Sequence, residues 1–256
     1  MKAGVPVGEM WTNFWNGTGG TPGDFSYGKI HIVSAVALVC VTILVCIIGA
    51  RFSKKNQRKL IVTAAALSLA FEIFWRIYYV SRGESLIGTW PLYPCNLAGV
   101  LVPLIAFSNS KTHKEIFYVF AFIGGVITFV YPQGIFTNDV LNFGILKSIL
   151  QHTAIIFIPV FEYATGHFMP QFKKVWLAIL GLFILLFNSE GMAKVLDIEG
   201  DFIFLRSGLP FVIEGVPQVF ILGTIAILVM IAFYAALDYK GFKALFGHKK
   251  KSKRKR

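Results

Sequence analysis

A chain of 256 residues that is 55% hydrophobic and 15% charged, with a mean hydropathy of +0.66, cannot cover a soluble globule with polar groups. That excludes the soluble fold classes and points to an all-α, polytopic membrane protein. The net charge of +12 does not indicate nucleic acid, because nine of the 25 Lys and Arg residues fall in the final stretch, "KGFKALFGHKKKSKRKR". A basic cluster directly after a span sets topology and lies near anionic lipid headgroups.

In chain order, residues 1–27 are rich in Gly, Thr, Asn and Trp and lack the basic start and apolar run of a secretory signal. They are expected to form an extracytoplasmic N-terminal segment. A span needs ~20 mostly apolar residues, and seven segments qualify: roughly 28–50, 60–81, 91–108, 115–132, 144–163, 174–193 and 213–238. Together they predict one transmembrane domain over 28–238, a single bundle of about seven helices, followed by a basic cytoplasmic tail over 239–256. The loops alternate in charge: "RFSKKNQRK" carries five basic residues, "SRGESLIGTW" one, "SNSKTHKE" two and "YPQGIFTNDVLNF" none. Placing the basic loops and the tail in the cytoplasm collects 18 of the 25 positive charges there, as the positive-inside bias requires. The N-terminus is then outside a cell membrane and the C-terminus inside.

This topology gives each polar residue within a span a depth. At ~1.5 Å per residue, Cys95 lies ~6 Å and His152 ~12 Å below the outer starts of the third and fifth spans. Glu72 and Arg76 share a face of the second span at i, i+4 spacing. His31, Asn188 with Glu190, and Gln218 fall near the outer ends of the first, sixth and seventh spans. An ionised side chain at the bilayer centre costs about 2.5–3.5 kcal/mol even on insertion scales, so these groups are expected to face one another across an outer-half polar chamber. The simpler alternative is unrelated helix-to-helix hydrogen bonding. Glu162 and Glu214 read as interfacial.

Cys40, Cys46 and Cys95 have no CxxC spacing, so neither a disulfide framework nor a zinc site is indicated; no metal and no cofactor is expected. Cys40 and Cys46, flanked by Val, Leu and Ile, read as packing residues. Cys95 follows Pro94, which suits a first helical turn, so free backbone N–H groups and the positive helix end would favour a thiolate there. His152 at similar depth could act as general base, and Arg76 or Asn96 could stabilise an oxyanion. Ser148, at i, i+4 to His152, is a rival nucleophile that also fits a back-bonded helix serine. A packing cysteine and a hydrogen-bonded buried histidine are the structural alternative.

The same residues carry a resemblance. "WPLYPCNLAGVLVPL" and "AFIGGVITFVYPQGIFT", with "FGILKSILQHTAII", resemble blocks of the YwaF-like bacterial integral membrane family, the first with its cysteine and the last with its histidine. "FSYGKIH" is similar to that family's first-helix start, placing its histidine at His31. "FEIFW" resembles an acidic-aromatic patch, giving Glu72 and Trp75, and "FNSEG" with "GDFIFLRSGLP" resembles a late block, giving Asn188, Asp201, Phe202, Leu205 and Pro210. The departures are Tyr93, where many members carry histidine, and Asp201 with Phe202 in place of an Asn-Tyr pair. More distantly the chain is similar to transmembrane protein 164, an ether-phospholipid acyltransferase, and to the androgen-induced fatty-acid-ester hydrolases. The resemblance implies a covalent acyl-enzyme on Cys95 with His152 as base, acting on membrane lipids. The rival functions are a non-catalytic transporter or receptor that binds a small solute in the outer chamber, and a membrane scaffold with no ligand.

Overall fold

The computed structural model describes residues 7–132, 134–203 and 215–246; the basic run from Lys249 onward, Leu205, Arg206, Pro210 and Glu214 lie outside the described residues. Its elements are α1 (Val7–Asn16), α2 (Lys29–Ala50), α3 (Lys54–Ser81), α4 (Pro94–Ser108), α5 (Lys111–Val130), α6 (Phe143–Ala164), α7 (Val175–Leu186), a π-helical turn (Phe187–Met192), α8 (Ala193–Val195), α9 (Gln218–Leu237) and α10 (Tyr239–Phe246). There is no β-strand among the described residues, only an isolated bridge between Pro22 and Asn138.

Several helix starts are written locally. The side chains of Ser53, Ser110 and Asn142 each accept a hydrogen bond from the backbone N–H three residues on, which satisfies a donor the helix leaves free. Pro94 occupies the first turn of α4, and Asn109 ends that helix at φ 53°, a left-handed conformation asparagine tolerates.

Among the described residues, six helices are long and apolar enough to cross a membrane: α2, α3, α5, α6, the stretch Phe172–Val195, and α9. The third expected span is shorter than its prediction. It is realised as the 15-residue α4, about 22 Å long at 1.5 Å per residue, against a hydrocarbon core of about 30 Å. The reason lies in Pro91 and Pro94, each of which drives the residue before it out of the helical region. Trp90 and Tyr93 accordingly stand at ψ 137° and 136°, and residues 90–93 form a tight non-helical turn in which Leu92 N–H donates to Trp90 O at 2.8 Å.

The N-terminal segment also holds an element the sequence reading lacked. In α1, the Trp15 ring packs on Phe143 (4.7 Å between centroids) and Tyr78 (5.3 Å). The Tyr78 hydroxyl donates to Trp15 O, and Arg82 to Asn16 Oδ1. Trp11 and Met10 stay exposed, as an interfacial helix requires.

The helices alternate between two ends of the bundle, one carrying α1 and the other α10. Helix α6 is the axis, packing against α1, α2, α3, α4 and α5. Helices α5 and α7 touch so closely that a Cβ on Gly181 would stand 2.2 Å from Ile116 O. Helix α9 is peripheral. Its only buried residues, Met230 and Tyr234, both lie in its second half.

Candidate functional site

Helices α3, α4 and α6 enclose a polar cluster toward the α1 end. Glu72 is buried on α3, and its Oε2 pairs with Arg76 Nη1 at 2.7 Å. Glu72 Oε1 is buried without a hydrogen-bond partner. From α6 comes Lys147, which is also buried. Its Nζ donates to Asn96 Oδ1 at 3.1 Å and to Gln151 Oε1, and lies 4.3 Å from the centroid of the Trp75 ring, within cation–π range. Gln151 Nε2 donates in turn to Cys95 O at 2.7 Å. That bond depends on Gly99, because a Cβ there would stand 2.6 Å from the same Nε2.

Cys95 opens α4 immediately after Pro94 and is partly buried. Its charged neighbours are Lys147 and Glu72, and backbone N–H groups of its own turn face the sulfur. Glu72, Arg76, Asn96 and Cys95 therefore stand together, joined by Trp75, Gln151 and Lys147. Lys147 and Gln151 were missed by the sequence reading. Their signal was available: i, i+4 spacing on a face of an apolar span, the rule that found Glu72 and Arg76.

His152 follows Gln151 but projects from the next face of α6. It is buried among Thr128, Phe129, Ile135, Phe136, Ser148 and Ile149. Its Nδ1 lies 2.7 Å from Ser148 O. A carbonyl only accepts, so the proton is on Nδ1 and Nε2 carries the lone pair. Nε2 is buried with no hydrogen-bond partner, so the Cys95 thiol and the His152 ring are not hydrogen-bonded in this arrangement.

His31, Asn188 and Gln218 stand apart from the cluster. His31 Nδ1 accepts from Tyr27 N–H (2.9 Å) and Nε2 donates to Phe129 O (2.8 Å), so both ring nitrogens are spent holding the start of α2 to the end of α5. Asn188, in the π-helical turn, accepts from Trp90 Nε1 (3.0 Å) and donates to Pro91 O (2.7 Å), while Ser189 Oγ donates to Leu92 O (2.6 Å). These three bonds hold the turn at residues 90–92 that leads into Cys95. Gln218 is half-buried at the start of α9. Tyr93 and Phe202, two of the departures from the resembled family, meet edge-on with ring centroids 5.2 Å apart, an aromatic contact across the mouth of the same segment.

A second polar cluster fills the α10 end. Lys114 and Glu162 form an ion pair with both side chains fully buried. Tyr118 Oη donates to Glu162 Oε1 (3.1 Å), and Lys114 Nζ also donates to Asn109 Oδ1 (2.6 Å). Glu162, expected at the interface, is thus wholly internal, because Lys114 and Tyr118 of α5 reach it across the α5–α6 contact. Beside it in the loop, His167 bonds Gln57 Oε1 through Nε2 (3.2 Å). Its pKa is held below the ordinary histidine value, first by burial and then by the charges of Lys54, Lys114 and Arg58. Among the described residues no group of three or more His, Cys, Asp or Glu side chains could hold a metal ion.

No curated protein and no solved structure matches the chain. The model of the TMEM164 family does match it, over residues 25–236, a range that contains α2 through α8, nearly all of α9 and every residue of the cluster around Cys95. Of the resemblances drawn from the sequence, this match bears on the one to transmembrane protein 164. With more than four fifths of its length matched, this multi-pass helical membrane protein belongs to the TMEM164 family.

Proposed function

We propose that the protein is an intramembrane lipid acyltransferase or acyl-ester hydrolase with Cys95 as nucleophile. The observation that carries this reading is the concentration of charge around one thiol within the bundle: Lys147 and Glu72 beside Cys95, with Arg76 paired to Glu72 and Lys147 held by Asn96, Gln151 and Trp75. Burying that much charge in a bilayer is costly, and a cation beside a thiol favours the nucleophilic thiolate. In the reaction the Cys95 sulfur adds to the ester carbonyl of a lipid. The thiol proton passes to a base and on to the departing alkoxide, leaving a thioester. A lysolipid hydroxyl or water then attacks the thioester, its proton returning to the sulfur as the C–S bond breaks.

His152 is the proposed base. Its neutral imidazole presents an unengaged Nε2 lone pair, and Gln151 next to it already bonds the Cys95 backbone. The ring must turn from its Phe129 and Phe136 surroundings to reach the sulfur. Lys147 and Arg76 are proposed to hold the developing oxyanion or a headgroup phosphate. Asn96 orients Lys147, whereas His31, Asn188 and Gln218 support the site's frame. We place the N-terminus outside the cell membrane and the basic C-terminal tail at the cytoplasmic headgroups. The second reading, a transporter or receptor for a small solute, is favoured by the unpartnered Glu72 Oε1, an acceptor a solute donor would satisfy.

Cys95→Ser decides between them. Purified into lipid nanodiscs with a phospholipid carrying a labelled acyl chain, the wild-type chain should accumulate a thioester on Cys95 and release lysolipid. The variant should lose at least 100-fold of that turnover with an unchanged melting temperature. Turnover that survives Cys95→Ser removes the thioester mechanism.

A further inference from the structure

Between the first half of α9 and helix α7 lies an apolar cavity of about 170 Å³. Leu182, Leu185 and Leu186 line it from α7 at i, i+3, i+4 spacing, and Val219, Leu222, Gly223 and Ala226 from α9 at i, i+3, i+4, i+7 spacing, each set on one helix face. Pro94, the residue before Cys95, closes its inner wall. We infer that this cavity is the binding site for one acyl chain of the lipid whose ester reaches Cys95, and that Gly223 sets the chain length it takes. The inference rests on the Cys95 reading for the position of the ester.

Three observations support it. A dry cavity of about 150 Å³ lined by Leu, Ile and Phe takes up benzene, so this one holds roughly six carbons, a segment of an acyl chain. Helix α9 is anchored mainly through its second half, where Met230 and Tyr234 are buried, Phe233 meets Phe122, and Tyr234 Oη donates to Glu115 O at 2.9 Å. Its first half carries no buried residue, and Phe220 and Ile225 are exposed, which leaves a path for a chain to pass sideways from the bilayer between α9 and α7. Gly223 is an open position: a Cβ built there meets nothing within 4 Å. A larger residue at 223 therefore fills the cavity without displacing its neighbours.

The test uses 2-bromo fatty acids of six, twelve and sixteen carbons, whose bromide the Cys95 thiolate displaces, on the full chain in nanodiscs. Wild type should alkylate fastest with the longer probes. Gly223→Leu should slow the sixteen-carbon probe at least tenfold relative to the six-carbon one, at an unchanged melting temperature. On wild-type protein alone, a sixteen-carbon fatty acid carrying a diazirine near its tail should crosslink to Leu182, Leu185, Leu222 or Ala226. An unchanged chain-length profile in Gly223→Leu, or crosslinks that avoid all four residues, overturns the acyl site. If the photoprobe labels the cavity and Cys95 resists every bromo acid, the acyl site stands and the nucleophile reading falls.

Discussion

Both ends of the bundle bury an ion pair. At the α10 end, Lys114 and Glu162 are each fully enclosed, and Tyr118 and Asn109 take up further hydrogen-bonding capacity on the two partners. At the α1 end, Glu72 is enclosed but the Arg76 side chain is 19% exposed, and Glu72 Oε1 has no partner. His152 Nε2, one face away on α6, is likewise unspent. The α10 network pairs its two charges with each other and so rigidifies helix contacts, although Glu162 Oε2 has no hydrogen bond beyond the ion pair and Arg58 Nη1 is buried without a partner. Buried polar groups left unsatisfied are costly, and at the α1 end Glu72 Oε1 and His152 Nε2 are both left so.

The comparison is broken most directly at its closed end. Glu162→Leu strands the Lys114 ammonium in a fully buried position and should cost about 3–5 kcal/mol, read as a lowered midpoint of denaturant unfolding in micelles. Glu72→Leu should cost clearly less, because the Arg76 head can reach solvent. Equal losses would show that the two ends are built alike. Adding Lys114→Met to Glu162→Leu should recover much of the loss, since the buried charge is then gone.

Between the two ends in size comes the frame of the Cys95 segment. Asn188→Leu removes the partner of both Trp90 Nε1 and Pro91 O, at about 1–3 kcal/mol for each group that stays buried. Unfolding should shift accordingly, and hydrogen exchange should rise at residues 90–95 before it rises at α6. At the open end, Lys147→Met should slow alkylation of Cys95 by a small iodoacetamide about tenfold at fixed pH, a change of about 1.4 kcal/mol in activation free energy, measured under conditions where the variant, which also loses the bonds to Asn96 and Gln151, remains folded. An unchanged rate would reduce Lys147 to a packing partner of Trp75.

The smallest effect belongs to His167. Its pKa is lowered in the folded protein, so below the ordinary histidine value near 6.5 the unfolded chain takes a proton the folded one refuses. Stability should be flat above about pH 6.5 and fall as pH drops below it. His167→Gln should flatten that slope in melting curves between pH 7.5 and 5.5.

The apolar runs were legible because hydropathy alone requires them, and Glu72 with Arg76 because one helix turn joins them. The Lys114–Glu162 pair was hidden, since 48 positions separate its members and neither residue signals the other locally. His31 and Asn188 were placed in the chamber by depth and by resemblance, yet three of their four partners are backbone groups, Tyr27 N–H, Phe129 O and Pro91 O, which no side-chain pattern announces. Lys147 is the instructive omission. It lies within the first turns of a span, where a lysine is easily read as reaching back to the headgroups, but its stem runs inward against Trp75.

The π-helical turn at Phe187–Met192 amounts to one extra residue wound into a transmembrane helix, the sort of insertion that recurs at functional positions. Removing any one of those six residues would restore a regular helix and turn everything on one side of the deletion by about 100° relative to the other. Asn188 and Ser189 could then no longer meet Trp90, Pro91 and Leu92 together with the rest of α7 in its present register. The chain thus ties the depth of its thiol to a counted residue in another helix, and a frame-preserving deletion there should detach Cys95 from its setting while sparing the hydropathy of the span.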